Sequence, residues 1–116
     1  MSTPPTALGI ERGGLDGMLA AGDRVQILDV RRAPAFEKNP VLLPGALRVP
    51  PDTLGAWAAS ATAARSVPVV VYCVYGHEVS QSAATELQGL GFAARFLQGG
   101  LSEWQASGGV TDPGGA

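Results

Sequence analysis

The sequence predicts an α/β domain with a central, mainly parallel sheet flanked by helices. Three observations carry this. Short β-branched runs alternate with stretches of helical spacing, one run holds three consecutive valines, and the stretches between runs place apolar residues on single faces. The chain has 116 residues, 46% hydrophobic and 16% charged, which suits one compact domain.

Taken in order, residues 1–6 are rich in Pro and small polar residues and are expected to form a loose tail, with the domain over residues 7–109 and a second flexible tail over 110–116. Leu15, Met18 and Leu19 suggest a helix at 13–21, weakened by Gly13, Gly14 and Gly17. Val25 to Val30 reads as a buried strand, and Ala46 to Val49 is a shorter candidate. Leu54, Trp57, Ala58 and Ala61 share one face of a helix expected over 53–64. Val67 to Tyr72, with Val69, Val70 and Val71 in succession, suits a central parallel strand covered on both faces. Ala83, Ala84, Leu87 and Leu90 predict a helix over 80–90, stopped at Gly91. Ala94 to Leu97 is a further strand. Trp57 and Trp104 fall on apolar helix faces and read as packing.

Composition excludes several function classes. Eight basic residues against ten acidic ones form no basic stripe, so nucleic acid is not expected as a partner. The longest mostly apolar run, Val67 to Tyr75, is too short to span a bilayer and contains Pro68, and the opening residues lack the pattern of a signal peptide, so no membrane contact and a cytoplasmic location are expected. A single cysteine and a single histidine leave no internal disulfide, no CxxC pair and no Cys/His structural zinc site. No metal is expected. There is no GxSxG elbow and no phosphate-binding glycine loop around Gly99 and Gly100.

Cys73 follows the strongest strand directly, and Val74, Tyr75, Gly76, His77, Glu78 and Val79 lead from it to the predicted helix. In open α/β sheets, ligands bind at the carboxyl ends of strands, and a helix N-terminus presents unpaired N–H groups. A thiol there ionises more easily, and Gly76 suits a tight loop that turns its amides inward. The competing reading is a small buried hydrophobe.

Here the chain resembles the rhodanese-like domains. Ile27-Leu28-Asp29-Val30-Arg31 resembles the family's LDVR strand end, Ala35-Phe36-Glu37 its EF turn, and Pro44-Gly45-Ala46 its PGA segment. Val70-Val71-Tyr72-Cys73 resembles the strand that carries the active cysteine. Gly91-Phe92 and Leu97-Gln98-Gly99-Gly100-Leu101-Ser102-Glu103-Trp104 resemble the GF and EGGxxxW ending. The resemblance implies a five-stranded, mainly parallel sheet with helices on both faces. It also implies a sulfurtransferase in which Cys73 accepts a sulfane sulfur as a persulfide, cradled by the amides of residues 74–79. No cofactor is implied. The implied partners are a small-molecule sulfur donor, such as thiosulfate or a low-molecular-weight persulfide, a thiol or cyanide acceptor, and a protein persulfide partner.

The loop departs from the family's CRSGxRS pattern. It runs seven residues, 73–79, holds no Arg or Lys, and carries Glu78, which opposes a thiolate by about 1 kcal/mol at 4 Å in water. A loop of this length resembles those of rhodanese-fold phosphatases and arsenate reductases, but position 79 is Val where they carry an Arg that clamps the oxyanion. The loop is also similar to that of rhodanese-like domains associated with chromate resistance. Arsenate- or chromate-type oxyanion reduction therefore stays a lesser alternative, and a non-catalytic binding or sensing module is the main rival. His77 has two readings, a charge partner for the thiolate or a solvated side chain. Asp29 and Arg31 can reach the pocket rim, where Arg31 would supply the missing cation. Alternatively Arg31 pairs with Glu37 while Asp29 bonds nearby amides.

Overall fold

A computed structural model of the chain describes residues 8–60 and 63–113. The expected N-terminal tail, residues 1–6, lies outside them. The elements run β1 (Gly9–Ile10), α1 (Arg12–Ala20), β2 (Gln26–Asp29), α2 (Ala33–Lys38), β3 (Val41–Leu42), β4 (Leu47–Arg48), α3 (Leu54–Ala58), β5 (Val69–Tyr72), α4 (Glu78–Gly89), β6 (Ala94–Leu97), α5 (Gly100–Ala106) and β7 (Asp112–Pro113). Five strands form one parallel sheet in the order β1-β6-β5-β2-β4.

The valine run takes the central place because both of its faces are covered. Val69 and Val71 pack with Leu28, Phe96, α3 residues Leu54 and Trp57, and α4 residues Ala83, Ala84 and Leu87. Val70 and Tyr72 face the opposite layer, with Leu15 of α1 and Leu101 and Trp104 of α5. Residues of period two on a strand thus fill two cores, the arrangement that makes a parallel strand read as continuously apolar. Trp57 and Trp104 are buried in these layers, as expected.

Three boundaries differ from the sequence expectation. The helix expected over 53–64 is a 3-10 turn at Pro51–Thr53 followed by α3, which ends at Ala58. The Ser60 hydroxyl and amide both donate to Trp57 O, at 2.6 and 2.9 Å, closing the helix early. Positions 61–62 of that expected helix lie outside the described residues. α4 starts at Glu78 rather than residue 80, so the loop after Cys73 is shorter than expected. The segment from residue 110, expected as a free tail, is held through residue 113. Trp104 Nε1 donates to Val110 O at 2.8 Å, and β7 pairs antiparallel with β3. Among the described residues no helix is long and apolar enough to cross a membrane.

Candidate active site

The sheet order places a crevice beside Cys73. From β2 the chain moves outward to β4, then crosses back to β5 on the other side of β2 and continues to β6. The connections therefore diverge between β2 and β5, and the carboxyl ends of diverging strands leave a gap that helices do not fill. Cys73 stands one residue beyond β5, and Arg31 and Arg32 follow the end of β2.

The loop Cys73–His77 is shaped by glycines. Gly76 has φ +73°, and a Cβ there would lie 2.7 Å from both Leu97 O and Gly99 N. Only a residue without a side chain lets this loop lie flat on the start of α5. Leu101 N donates to Cys73 O at 2.9 Å and Ser102 N donates to Val74 O at 2.8 Å. These two carbonyls are thereby taken up by α5. By contrast, the amides of residues 74–80 donate to no acceptor among the described residues. A run of unpaired N–H groups ending at a helix N-terminus is a ready-made anion cradle.

The sulfur sits at that helix end. Cys73 is 7% exposed, and its Sγ donates to the fully buried Ser80 Oγ at 3.2 Å, while Ser80 Oγ donates to His77 O at 3.4 Å. A hydroxyl rotates freely, so on loss of the thiol proton Ser80 can turn its O–H from His77 O to the sulfur. Ser80 was not singled out by sequence reasoning. Its spacing seven residues after the cysteine, on the buried face of α4, was the available signal.

A pocket of about 280 Å³ opens onto Cys73. Val74, Tyr75, His77, Glu78 and Val79 line one side, and Arg31, Arg32 and Ala35 line the other. The structure thus gathers the predicted loop residues, with two adjustments. Gly76 is buried beneath the loop rather than in the pocket wall. Glu78 and Val79 are first-turn residues of α4 rather than loop residues. Glu78 is exposed and makes no ion pair among the described residues. The His77 ring is exposed and lies 5.9 Å from the Tyr75 ring centroid.

Arg31 does not supply the missing cation, nor does it pair with Glu37. It is 1% exposed, and its Nε and Nη2 donate to the fully buried Asp29 carboxylate, the shortest contact being 2.6 Å. Nη1 donates to Asn39 O and Nη2 to Val41 O, so the guanidinium ties β2 to the end of α2 and to β3. Every side of the group is occupied by acceptors of the fold. Arg32, which sequence reasoning passed over, is exposed, makes no ion pair among the described residues, and lines the Cys73 pocket. Beneath the site the Tyr72 hydroxyl accepts a hydrogen bond from Leu43 N at 3.1 Å. Burial, and then the Asp29 charge, push the Tyr72 phenol well above its ordinary range.

Comparison with known proteins agrees with this architecture. Residues 13–107 match the family described as the rhodanese-like domain. Among solved structures, a protein from Lactobacillus plantarum is 27% identical, with a TM-score of 0.79 over 91% of this chain and 88% of its own. The Alr3790 protein from Anabaena sp. is 31% identical, with a TM-score of 0.76 over 89% of this chain and 79% of its own. A thiosulfate sulfurtransferase from Pseudomonas aeruginosa shares the fold at 23% identity and a TM-score of 0.77 over 91% of this chain, which spans only 20% of that protein. No curated protein matches the sequence. With the family match extending from α1 through α5 around the Cys73 loop, the chain belongs to the rhodanese-like domain family.

Proposed function

We propose that the protein is a sulfurtransferase that moves a sulfane sulfur from thiosulfate or a low-molecular-weight persulfide to a thiol or cyanide by way of a Cys73 persulfide. The observation that carries this reading is the run of unpaired amides at residues 74–80, which follows directly on a cysteine that opens onto a pocket. A purely structural cysteine needs neither. Preorganised N–H donors stabilise negative charge at no reorganisation cost, on the thiolate first and on the persulfide afterwards.

In the first step the Cys73 thiolate attacks the outer sulfur of a persulfide R–S–SH. A bond forms between the two sulfurs while the donor S–S bond breaks, and its electron pair leaves on R–S, which takes the proton. From thiosulfate the leaving group is sulfite. In the second step an acceptor thiolate or cyanide attacks the terminal sulfur, the Cys73 S–S bond breaks, and the thiolate is restored. The cycle consumes no external oxidant or reductant. Arg32 supplies a positive charge for an anionic donor, and a reducing cytoplasm keeps the lone thiol available.

Intact-mass measurement of the native protein after exposure to thiosulfate or to an alkyl persulfide tests the proposal. The expected result is one added sulfur that is absent in Cys73→Ser and is removed by a thiol or cyanide. An unmodified protein with every donor overturns it and leaves the binding-module reading.

A further inference from the structure

A second cleft opens beside the Cys73 pocket, and no step of the sulfur exchange uses it. It has a volume of about 680 Å³, within the usual range of binding sites, and lies between α2 and α5. Pro34 and Lys38, one turn apart, form the α2 wall, and Leu101 and Gln105, also one turn apart, form the α5 wall. Lys38 and Gln105 do not line the Cys73 pocket.

The charge of this cleft is one-sided. The chain has ten acidic and eight basic residues, yet no Asp or Glu lines it. Arg32 and Lys38 do, both are exposed, and neither makes an ion pair among the described residues. Arg31, the third cation of the lining, is already held by Asp29. Two free cations match a pair of carboxylates, and they are too few for the phosphate row of a nucleic acid, where about 6–10 contacts are usual.

A neutral pair spans the same cleft. Asn39 Nδ2 donates to Gln105 Oε1 at 2.8 Å, joining the two walls. That bond leaves one amide donor and one amide acceptor without partners among the described residues, and exchanging O and N in both amides leaves the same balance. A backbone peptide group, with its own acceptor and donor, satisfies both. The Tyr75 ring, 60% exposed, adds an amphipathic surface of the kind that anchors protein interfaces.

We propose that this cleft is a docking site for an extended acidic segment of a partner protein. Arg32 and Lys38 pair with its carboxylates, Asn39 and Gln105 bond its backbone, and Tyr75 packs against its side chains. The inference goes beyond the sulfurtransferase reading and requires no chemistry at Cys73.

The test selects from a phage-displayed library of random, cysteine-free heptapeptides on the Cys73→Ser protein, which keeps its outcome separate from that of persulfide formation. The expected winners carry two or more Asp or Glu residues. The best of them, synthesised with blocked ends and a fluorescent label, should bind in an anisotropy titration. Its affinity should weaken about three-fold in Lys38→Gln, about ten-fold in Lys38→Glu and about three-fold in Gln105→Ala. Arg95→Gln, which removes an exposed cation of β6 outside the cleft, should leave it unchanged. All these positions are exposed, so the variants should fold, which thermal unfolding checks. A selection that enriches no sequence, one that enriches neutral or basic sequences, or a peptide that binds Lys38→Glu or Gln105→Ala as tightly as the parent overturns the inference. Tighter binding of a single-stranded oligonucleotide than of the peptide, or a dimer of this chain that Lys38→Glu dissociates, overturns it too by assigning the cleft another occupant.

Discussion

A Cβ on Gly100 would lie 2.4 Å from the carbonyl oxygen of Cys73, and Gly100 holds φ +58°. The same absent atom would meet Val74 O at 2.6 Å and Gly76 N at 2.7 Å. All three contacts are with backbone, which cannot swing aside as a side-chain tip can. The shape of the loop around the sulfur therefore depends on a residue 27 positions later in the chain that carries no side chain.

Gly100→Ala is expected to cost about 2–4 kcal/mol, from strain at positive φ and from overpacking. Gly76→Ala, also at positive φ and 2.7 Å from Leu97 O, should behave similarly. Gly89→Ala is the contrast. It sits in α4 with no atom within 4 Å of the added methyl, and should gain roughly 0.5–1 kcal/mol. Urea unfolding of the three variants checks the order, and equal effects would contradict the packing described here.

Ser80→Ala removes the only side-chain hydroxyl bonded to the Cys73 sulfur among the described residues. The methyl group that remains fits the same buried space, so the fold should hold. Alkylation of Cys73 by iodoacetamide at neutral pH is expected to slow about ten-fold, the worth of one hydrogen bond to a charged group. Ser80→Thr should restore part of the rate. Unchanged alkylation in Ser80→Ala would remove the hydroxyl from the site's chemistry.

Tyr72 predicts a limit to alkaline stability. Its folded-state phenol is raised above the free value of about 10 by burial and by Asp29. A raised value means that the stabilisation is intact below about pH 10 and is lost as pH climbs further, because only the unfolded chain releases the proton readily. In a Tyr75→Phe variant, which leaves Tyr72 as the sole tyrosine, phenolate absorbance should appear together with unfolding and not before it. Ionisation near pH 10 in a folded protein would show that the Tyr72 environment is more open.

Asp29→Asn should destabilise by about 3–5 kcal/mol, since it strands the Arg31 guanidinium inside the protein. Glu37→Gln, at an exposed position on α2, should change stability by less than about 0.5 kcal/mol. Thermal or urea denaturation separates the two. A large Glu37 effect would revive the pairing that the sequence suggested.

That last contrast shows what was legible. β5 and α4 could be read because their patterns are long and each has one cause, burial on both faces of a strand and burial on one face of a helix. The partner of Arg31 was misread although Asp29 sits at i−2, on the same face of an extended segment, where proximity and burial favour it over a residue on the next helix. β1, β3 and β7 are two residues each, too short to show any period, and exist only because a neighbouring backbone is presented to them. At the site, Cys73 was legible from its strand and loop. The roles of Ser80 and Arg32 were not, because they depend on which groups the folded chain leaves without a partner.

The bonds from Leu101 and Ser102 to the carbonyls of Cys73 and Val74 also set an order of completion. During synthesis the cysteine emerges well before α5, so a nascent or prematurely terminated polypeptide carries the sulfur without the struts that shape its surroundings. The loop around this thiol is thus among the last features the chain completes, and fragments left by failed translation should expose it as an ordinary cysteine without the surroundings that α5 holds in place.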